Sequence, residues 1–131
     1  MNKSYIKGVH HVAIICSDYK KTKTFYTKIL GLEIISENYR QERDSYKLDL
    51  QLLDGTQLEI FSFPDRPKRP SYPEAQGLRH LAFLVDSVEE VSRYLKSNMI
   101  EVEDIRVDEH TGKKFTFFND PDNLPLELYE A

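Results

Sequence analysis

The sequence predicts an α+β fold made of two βαβββ modules, paired with pseudo-twofold symmetry into cupped mixed sheets. Three observations carry that expectation. The phrase Gly8-Val9-His10-His11-Val12-Ala13-Ile14-Ile15 returns as Gly77-Leu78-Arg79-His80-Leu81-Ala82-Phe83-Leu84, which sets His11 on His80 and Ala13 on Ala82 at an offset of 69. Asp54-Gly55-Thr56-Gln57-Leu58-Glu59-Ile60 returns as Asp122-Asn123-Leu124-Pro125-Leu126-Glu127-Leu128 at an offset of 68. Between the copies, residues 64–76 hold four of the six prolines. Proline has no N–H for a ladder, so that stretch reads as an extended linker. The expected organisation is one domain over 1–131, with module one at 6–63, the linker at 64–76 and module two at 77–131.

Residues 8–16 read as the first strand. Alternation sends Val9, His11, Ala13 and Ile15 to one face and His10, Val12, Ile14 and Cys16 to the other. The two adjacent histidines therefore cannot both point at one site, and register with the second module selects His11. Asp18 is a good N-cap, and Thr22, Phe25, Tyr26 and Ile29 follow at i, i+3, i+4 and i+7, one face of a helix. Gly31 stops it. Leu32–Asn38 reads as a strand, 39–43 as a polar turn, Ser45–Leu53 as a strand, Asp54-Gly55 as a tight hairpin and Thr56–Phe63 as the strand that holds Glu59. In the second half, Gly77–Val85 is a strand. Ser87 and Glu90 form a capping box, and Val88, Val91, Tyr94 and Leu95 line one face of a helix that ends near Asn98. Strands follow at 101–108 and 113–118, joined by Glu109-His110-Thr111-Gly112, and Leu124–Tyr129 is the strand that holds Glu127. One helix cannot cover both faces of a four-stranded sheet, so the halves are expected to pair.

Composition narrows the class. A chain of 131 residues suits one domain, and a net charge of −4 argues against a nucleic-acid or anionic-membrane surface. No basic, apolar leader is recognisable at the start, and no apolar run approaches the roughly 18 residues of a membrane span. The single cysteine forms no internal disulfide and no cysteine-based zinc cluster. A soluble cytoplasmic protein is the expectation.

Each module thus opens with a strand bearing a histidine and closes with a strand bearing a glutamate. A lone histidine on a strand is ordinarily structural, and a glutamate in Leu-Glu-Ile or Leu-Glu-Leu ordinarily faces solvent. Their recurrence at matching positions of a duplicated unit makes His11, Glu59, His80 and Glu127 candidate metal ligands. The remaining polar candidates have plainer readings. His110 sits in an exposed turn, Cys16 shares the inward parity of His10, and Asp54 and Asp122 form turns. Phe115, Phe117 and Phe118 read as cavity lining or, the commoner outcome, as aromatic core.

The motifs His11-Val12-Ala13-Ile14, Asp18, Phe25-Tyr26, Gly31-Leu32, His80-Leu81-Ala82-Phe83 and Asp120-Pro121-Asp122 leading to Leu126-Glu127-Leu128 resemble the vicinal oxygen chelate superfamily. Its members include glyoxalase I, fosfomycin-resistance thiol transferases, extradiol dioxygenases, methylmalonyl-CoA epimerases and bleomycin-binding proteins. The resemblance spans residues 6–130 and implies cupped sheets around a metal cavity. As in glyoxalase I, each half would contribute one ligand from its first strand and one from its fourth. That gives His11, Glu59, His80 and Glu127 as metal ligands, with Glu127 as base and Glu59 facing it. It also implies one divalent ion per site (Ni, Zn, Co, Mn or Fe), a small-molecule substrate and a homodimer.

Imidazole and carboxylate suit such ions. Four protein ligands leave two octahedral positions open, which is what a substrate with neighbouring oxygens needs. The reaction expected is proton abstraction beside a polarised carbonyl and reprotonation at its neighbour. Two positions depart from the glyoxalase I pattern. Ile15 and Phe63 stand where an Arg and an Asn meet glutathione, so glutathione is not the expected thiol carrier. Arg66, Lys68 and Arg69 in the linker are a candidate anion-binding cluster. The alternatives are a metal-dependent thiol transferase or dioxygenase, which use two His and one Glu, or a non-catalytic drug- or metabolite-binding protein.

Overall fold

A computed structural model describes residues 3–131. The chain forms two compact units, Met1–Arg66 and Pro67–Ala131, and each repeats the βαβββ order.

In the first unit the elements are β1 (His11–Cys16), α1 (Tyr19–Thr24), a wider helical turn (Phe25–Ile29), β2 (Glu33–Arg40), β3 (Ser45–Gln51) and β4 (Gln57–Ser62). The sheet order is β1-β4-β3-β2, with β1 parallel to β4 and the other pairs antiparallel. A parallel partner needs a long crossover, and the helix together with the β2–β3 excursion provides it. Alternation along β1 is as expected: Ile14 and Cys16 are buried whereas His11, Ala13 and Ile15 are exposed. Leu48, Leu50, Leu58 and Ile60 share the buried face, as do Thr22, Phe25 and Tyr26 of the helix. Asp18 caps α1 by accepting a hydrogen bond from the Lys21 N–H at 3.2 Å. The last turn widens, with Leu30 N–H donating to the Phe25 carbonyl at 2.9 Å, and the chain leaves through Gly31 at φ +76°. That left-handed backbone favours glycine.

The second unit contains β5 (Leu81–Val85), α2 (Val88–Ser97), β6 (Arg106–Val107), β7 (Lys114–Asn119) and β8 (Pro125–Glu130). Its sheet runs β5-β8-β7-β6, again with the first and last strands parallel. Ser87 caps α2 by accepting from the Glu90 N–H at 3.1 Å. Val88, Leu95, Thr116, Phe118, Leu126 and Leu128 form the buried face.

The structure redraws several boundaries. The strands expected at 8–16 and 77–85 begin at His11 and Leu81, so His80 lies at the mouth of its strand rather than within it. The strand expected at 101–108 reduces to Arg106–Val107 plus a single bridge between Val102 and Phe118. Of the expected aromatic core, Phe118 is buried, whereas Phe115 and Phe117 take the opposite parity and lie half-buried.

Leu58 and Leu126 occupy equivalent, fully buried positions in the two sheets. Replacing either by Ala should cost about 2–5 kcal/mol, measured by urea unfolding. A loss under about 1 kcal/mol would contradict their placement at the centre of each core.

Candidate metal centre

The register of each sheet puts one histidine and one glutamate on the face opposite the helix. In the first unit Ala13, two residues after His11, pairs with Glu59. In the second, Ala82, two residues after His80, pairs with Glu127. Side chains two apart on one strand share a face, so each histidine is diagonal to its glutamate across a parallel pair. The outcome is the same short approach in both units. His11 Nε2 lies 3.6 Å from Glu59 Oε2, and His80 Nε2 lies 3.1 Å from Glu127 Oε1. The carboxylates are the more enclosed partners, with side chains 16% and 12% exposed against 43% and 30% for His11 and His80.

The 3.1 Å spacing suits two ligands of one cation, and the 3.6 Å spacing is slightly wider than such a pair. Two ligand atoms each about 2.1 Å from an ion lie about 3.0 Å apart at a right angle and about 3.4 Å apart at the tetrahedral angle. The donors are imidazole nitrogen and carboxylate oxygen, a set that borderline divalent ions accept. Among the described residues, no three His, Cys, Asp or Glu side chains are grouped so as to hold an ion. Each unit brings two.

The surroundings of the two pairs differ. In the first unit Glu59 has a cationic neighbour, Lys47, whose Nζ lies 3.9 Å from Glu59 Oε2. The same ammonium donates to both Asp49 oxygens at 2.9 and 3.0 Å, and Ser36 Oγ donates to Asp49 Oδ2 at 3.0 Å. His11 also meets His10, Nδ1 to Nδ1, at 2.9 Å. In the second unit His80 stands edge-on to Phe117, with ring centroids 5.1 Å apart, and Arg106 lies over the rings of Phe115 and Phe117 at 5.0 and 5.7 Å. His80 and Phe117 also line a cavity of about 890 Å³ with Arg69, Ser71, Arg79 and Arg106.

Of the remaining candidates, Arg69 lines that cavity, and Arg66 and His110 lie outside it. Arg66 donates to the Ser17 and Pro64 carbonyls at 2.8 and 3.1 Å. Arg69 donates to the carbonyls of Leu78 and Arg79 and to Ser71 Oγ. These guanidiniums hold loop backbone in place. His110 is exposed in its turn, and its N–H donates to Asp108 Oδ1 at 2.9 Å. That bond, with the one from Tyr129 Oη, holds the Asp108 carboxyl below the usual carboxylate range. Asp54 and Asp122 lie in turns, as expected. Lys47, Arg79 and Arg106 were not singled out by sequence reasoning. The signal for Lys47 was strand parity with Asp49, two residues on.

Residues 8–128 match the family model of the Glyoxalase/Bleomycin resistance protein/Dioxygenase superfamily. The chain belongs to that superfamily. It is 58% identical to YwkD of Bacillus subtilis (strain 168) over 95% of this chain and 98% of that one. It is also similar to the crystal structure of the glyoxalase family protein from Enterococcus faecalis, with a TM-score of 0.90 and 55% identity, covering 97% of this chain and 100% of the other. Metallothiol transferase FosB of Staphylococcus saprophyticus is 30% identical over 95% of this chain and 77% of its own length. The superfamily joins several chemistries on one scaffold, so membership establishes the fold and leaves the reaction to the site.

The edge contact on His80 has its own readout. Replacing Phe117 by Leu should move the ring-proton resonances of His80 by loss of the aromatic ring current and leave those of His110 unchanged. Unmoved His80 resonances would contradict the packing.

Proposed function

We propose that the protein is a divalent-metal-dependent enzyme of the glyoxalase-like type. It acts as a lyase or isomerase on a small vicinal-oxygen substrate, an α-hydroxycarbonyl or thiohemiacetal-type compound. His11, Glu59, His80 and Glu127 act as one ligand set for an ion such as Ni, Zn, Co, Mn or Fe. The observation that carries this reading is the duplicated His–Glu pair, built twice by one register, with donor atoms 3.6 and 3.1 Å apart.

When bound, the ion supplies Lewis-acid polarisation of the substrate carbonyl. The chain's own groups do the rest. His11 and His80 would offer imidazole nitrogen to the ion, and the two carboxylates would offset its charge. Glu127 takes the proton from the carbon beside the carbonyl and returns it at the neighbouring carbon. Glu59 is the second carboxylate of the set. The cavity of about 890 Å³ beside His80 is roomy enough for a small organic molecule. Apolar Ile15 shares the face of His11 and is 54% exposed, which suits a substrate other than a glutathione adduct. The assembly in this reading is a homodimer, checked by light scattering at twice the chain mass.

A second reading, a thiol transferase or dioxygenase with two His and one Glu as ligands, draws on the Lys47 ammonium 3.9 Å from Glu59. A carboxylate with a cation beside it is a poorer metal ligand. The two readings separate at Glu59.

Protein purified without chelator should carry stoichiometric divalent metal, and chelation should abolish turnover of thiohemiacetals or α-hydroxycarbonyls. Glu127→Gln should lower kcat by about 10²–10⁴-fold. Glu59→Ala should lose metal and turnover together, whereas retained turnover supports the three-ligand reading. Protein that carries no metal and takes none up on titration overturns both and leaves a non-catalytic binder.

A further inference from the structure

The first unit contains a contact that the ligand set does not use. His10 immediately precedes β1, and its ring is not turned away from His11 as strand parity suggested. Its ring meets that of His11 at an interplanar angle of 87°, with the two Nδ1 atoms 2.9 Å apart. The His10 carbonyl accepts from the Gln57 N–H at 3.0 Å, which ties the dipeptide to β4, the strand of Glu59. Both nitrogens of His11 are therefore committed: Nε2 faces Glu59 and Nδ1 faces His10.

An N···N contact of that length needs one protonated and one bare nitrogen. If His10 donates, His11 carries its proton on Nε2, where no metal can bind. If His11 donates, Nε2 is bare and faces Glu59. We propose that His10 is a positioning residue for His11, accepting its Nδ1–H and so fixing the ring rotation and the tautomer in which Nε2 is a metal ligand. The proposal rests on the reading of His11 as a ligand. Partners on the far nitrogen of a ligating histidine raise its basicity and set its orientation, and here a second imidazole fills that place.

The repeat supplies an internal contrast. Arg79 stands where His10 does, and its guanidinium approaches Glu74 at 3.4 Å. An arginine has no acceptor to offer. His80 is steadied instead by the edge contact with Phe117. The two halves thus orient their histidines by different means, and only His11 has its tautomer selected by a neighbour in sequence.

The test uses the full chain and Co²⁺, with affinity measured by competition with a chromogenic chelator and coordination read from the visible d–d spectrum. His10→Phe keeps a ring and removes the acceptor. It should weaken Co²⁺ binding about 10–100-fold and alter the spectrum, while the metal-free protein unfolds at the wild-type temperature. His10→Gln restores an acceptor oxygen and should return affinity to within about threefold of wild type. Wild-type affinity in His10→Phe, or a His10→Gln protein as weak as His10→Phe, overturns the role given to His10 and leaves the ligand set standing. A wild-type protein with no affinity for Co²⁺ overturns the ligand set and this proposal with it.

Discussion

The parallel pairing of first and last strands in each unit is the constraint on which the site depends. Parallel strands keep a fixed stagger, and a shift of one residue would send every side chain to the other face. With Ala13 opposite Glu59 and Ala82 opposite Glu127, the buried leucines of the fourth strand face the helix and its glutamate faces away. The hydrophobic core therefore enforces the register that aims the polar pair. Fully burying one such leucine contributes about 1.5–3 kcal/mol. Slipping the register would forfeit several of these at once, so the His–Glu geometry is held by residues that never touch it.

The face opposite each helix tells of use rather than of stability. Ile15 and Leu84 are 54% and 74% exposed on it, beside carboxylates that are largely enclosed. Two acidic groups placed among apolar and aromatic neighbours invite a cation, since enclosed charge is costly unless paired. In the first unit Lys47 stands 3.9 Å from Glu59, whereas in the second Arg106 pairs with Glu103 and lies over Phe115 and Phe117. This asymmetry between otherwise repeated halves is where one chemistry within the superfamily would be separated from another.

Much of this was legible in the chain. The offset repeats showed the duplication, and period-two alternation along His11–Cys16 gave the correct inward and outward faces. Asp18, Gly31 and Ser87 marked helix ends because each satisfies or releases backbone groups by a local mechanism. Strand starts were overrun at 8–10 and 77–80, since β-branched and apolar residues continue past the last ladder bond and pairing is non-local. The short β6 was overdrawn for the same reason. His10 was misjudged because parity sets the side from which a side chain leaves the backbone and not the neighbour its ring then meets. The clusters around Lys47 and Arg106 depend on cross-strand neighbours, which no single stretch of sequence displays.

The proposed ligand set puts both histidines and both glutamates on one ion. X-ray absorption on the zinc-loaded protein reads this directly, because imidazole rings leave a characteristic multiple-scattering pattern. The proposed set requires a shell of nitrogen and oxygen at about 2.0–2.2 Å with two imidazoles per zinc. It requires one imidazole per zinc after either His11→Ala or His80→Ala. A wild-type spectrum with a single imidazole, or one unchanged by either substitution, would contradict it.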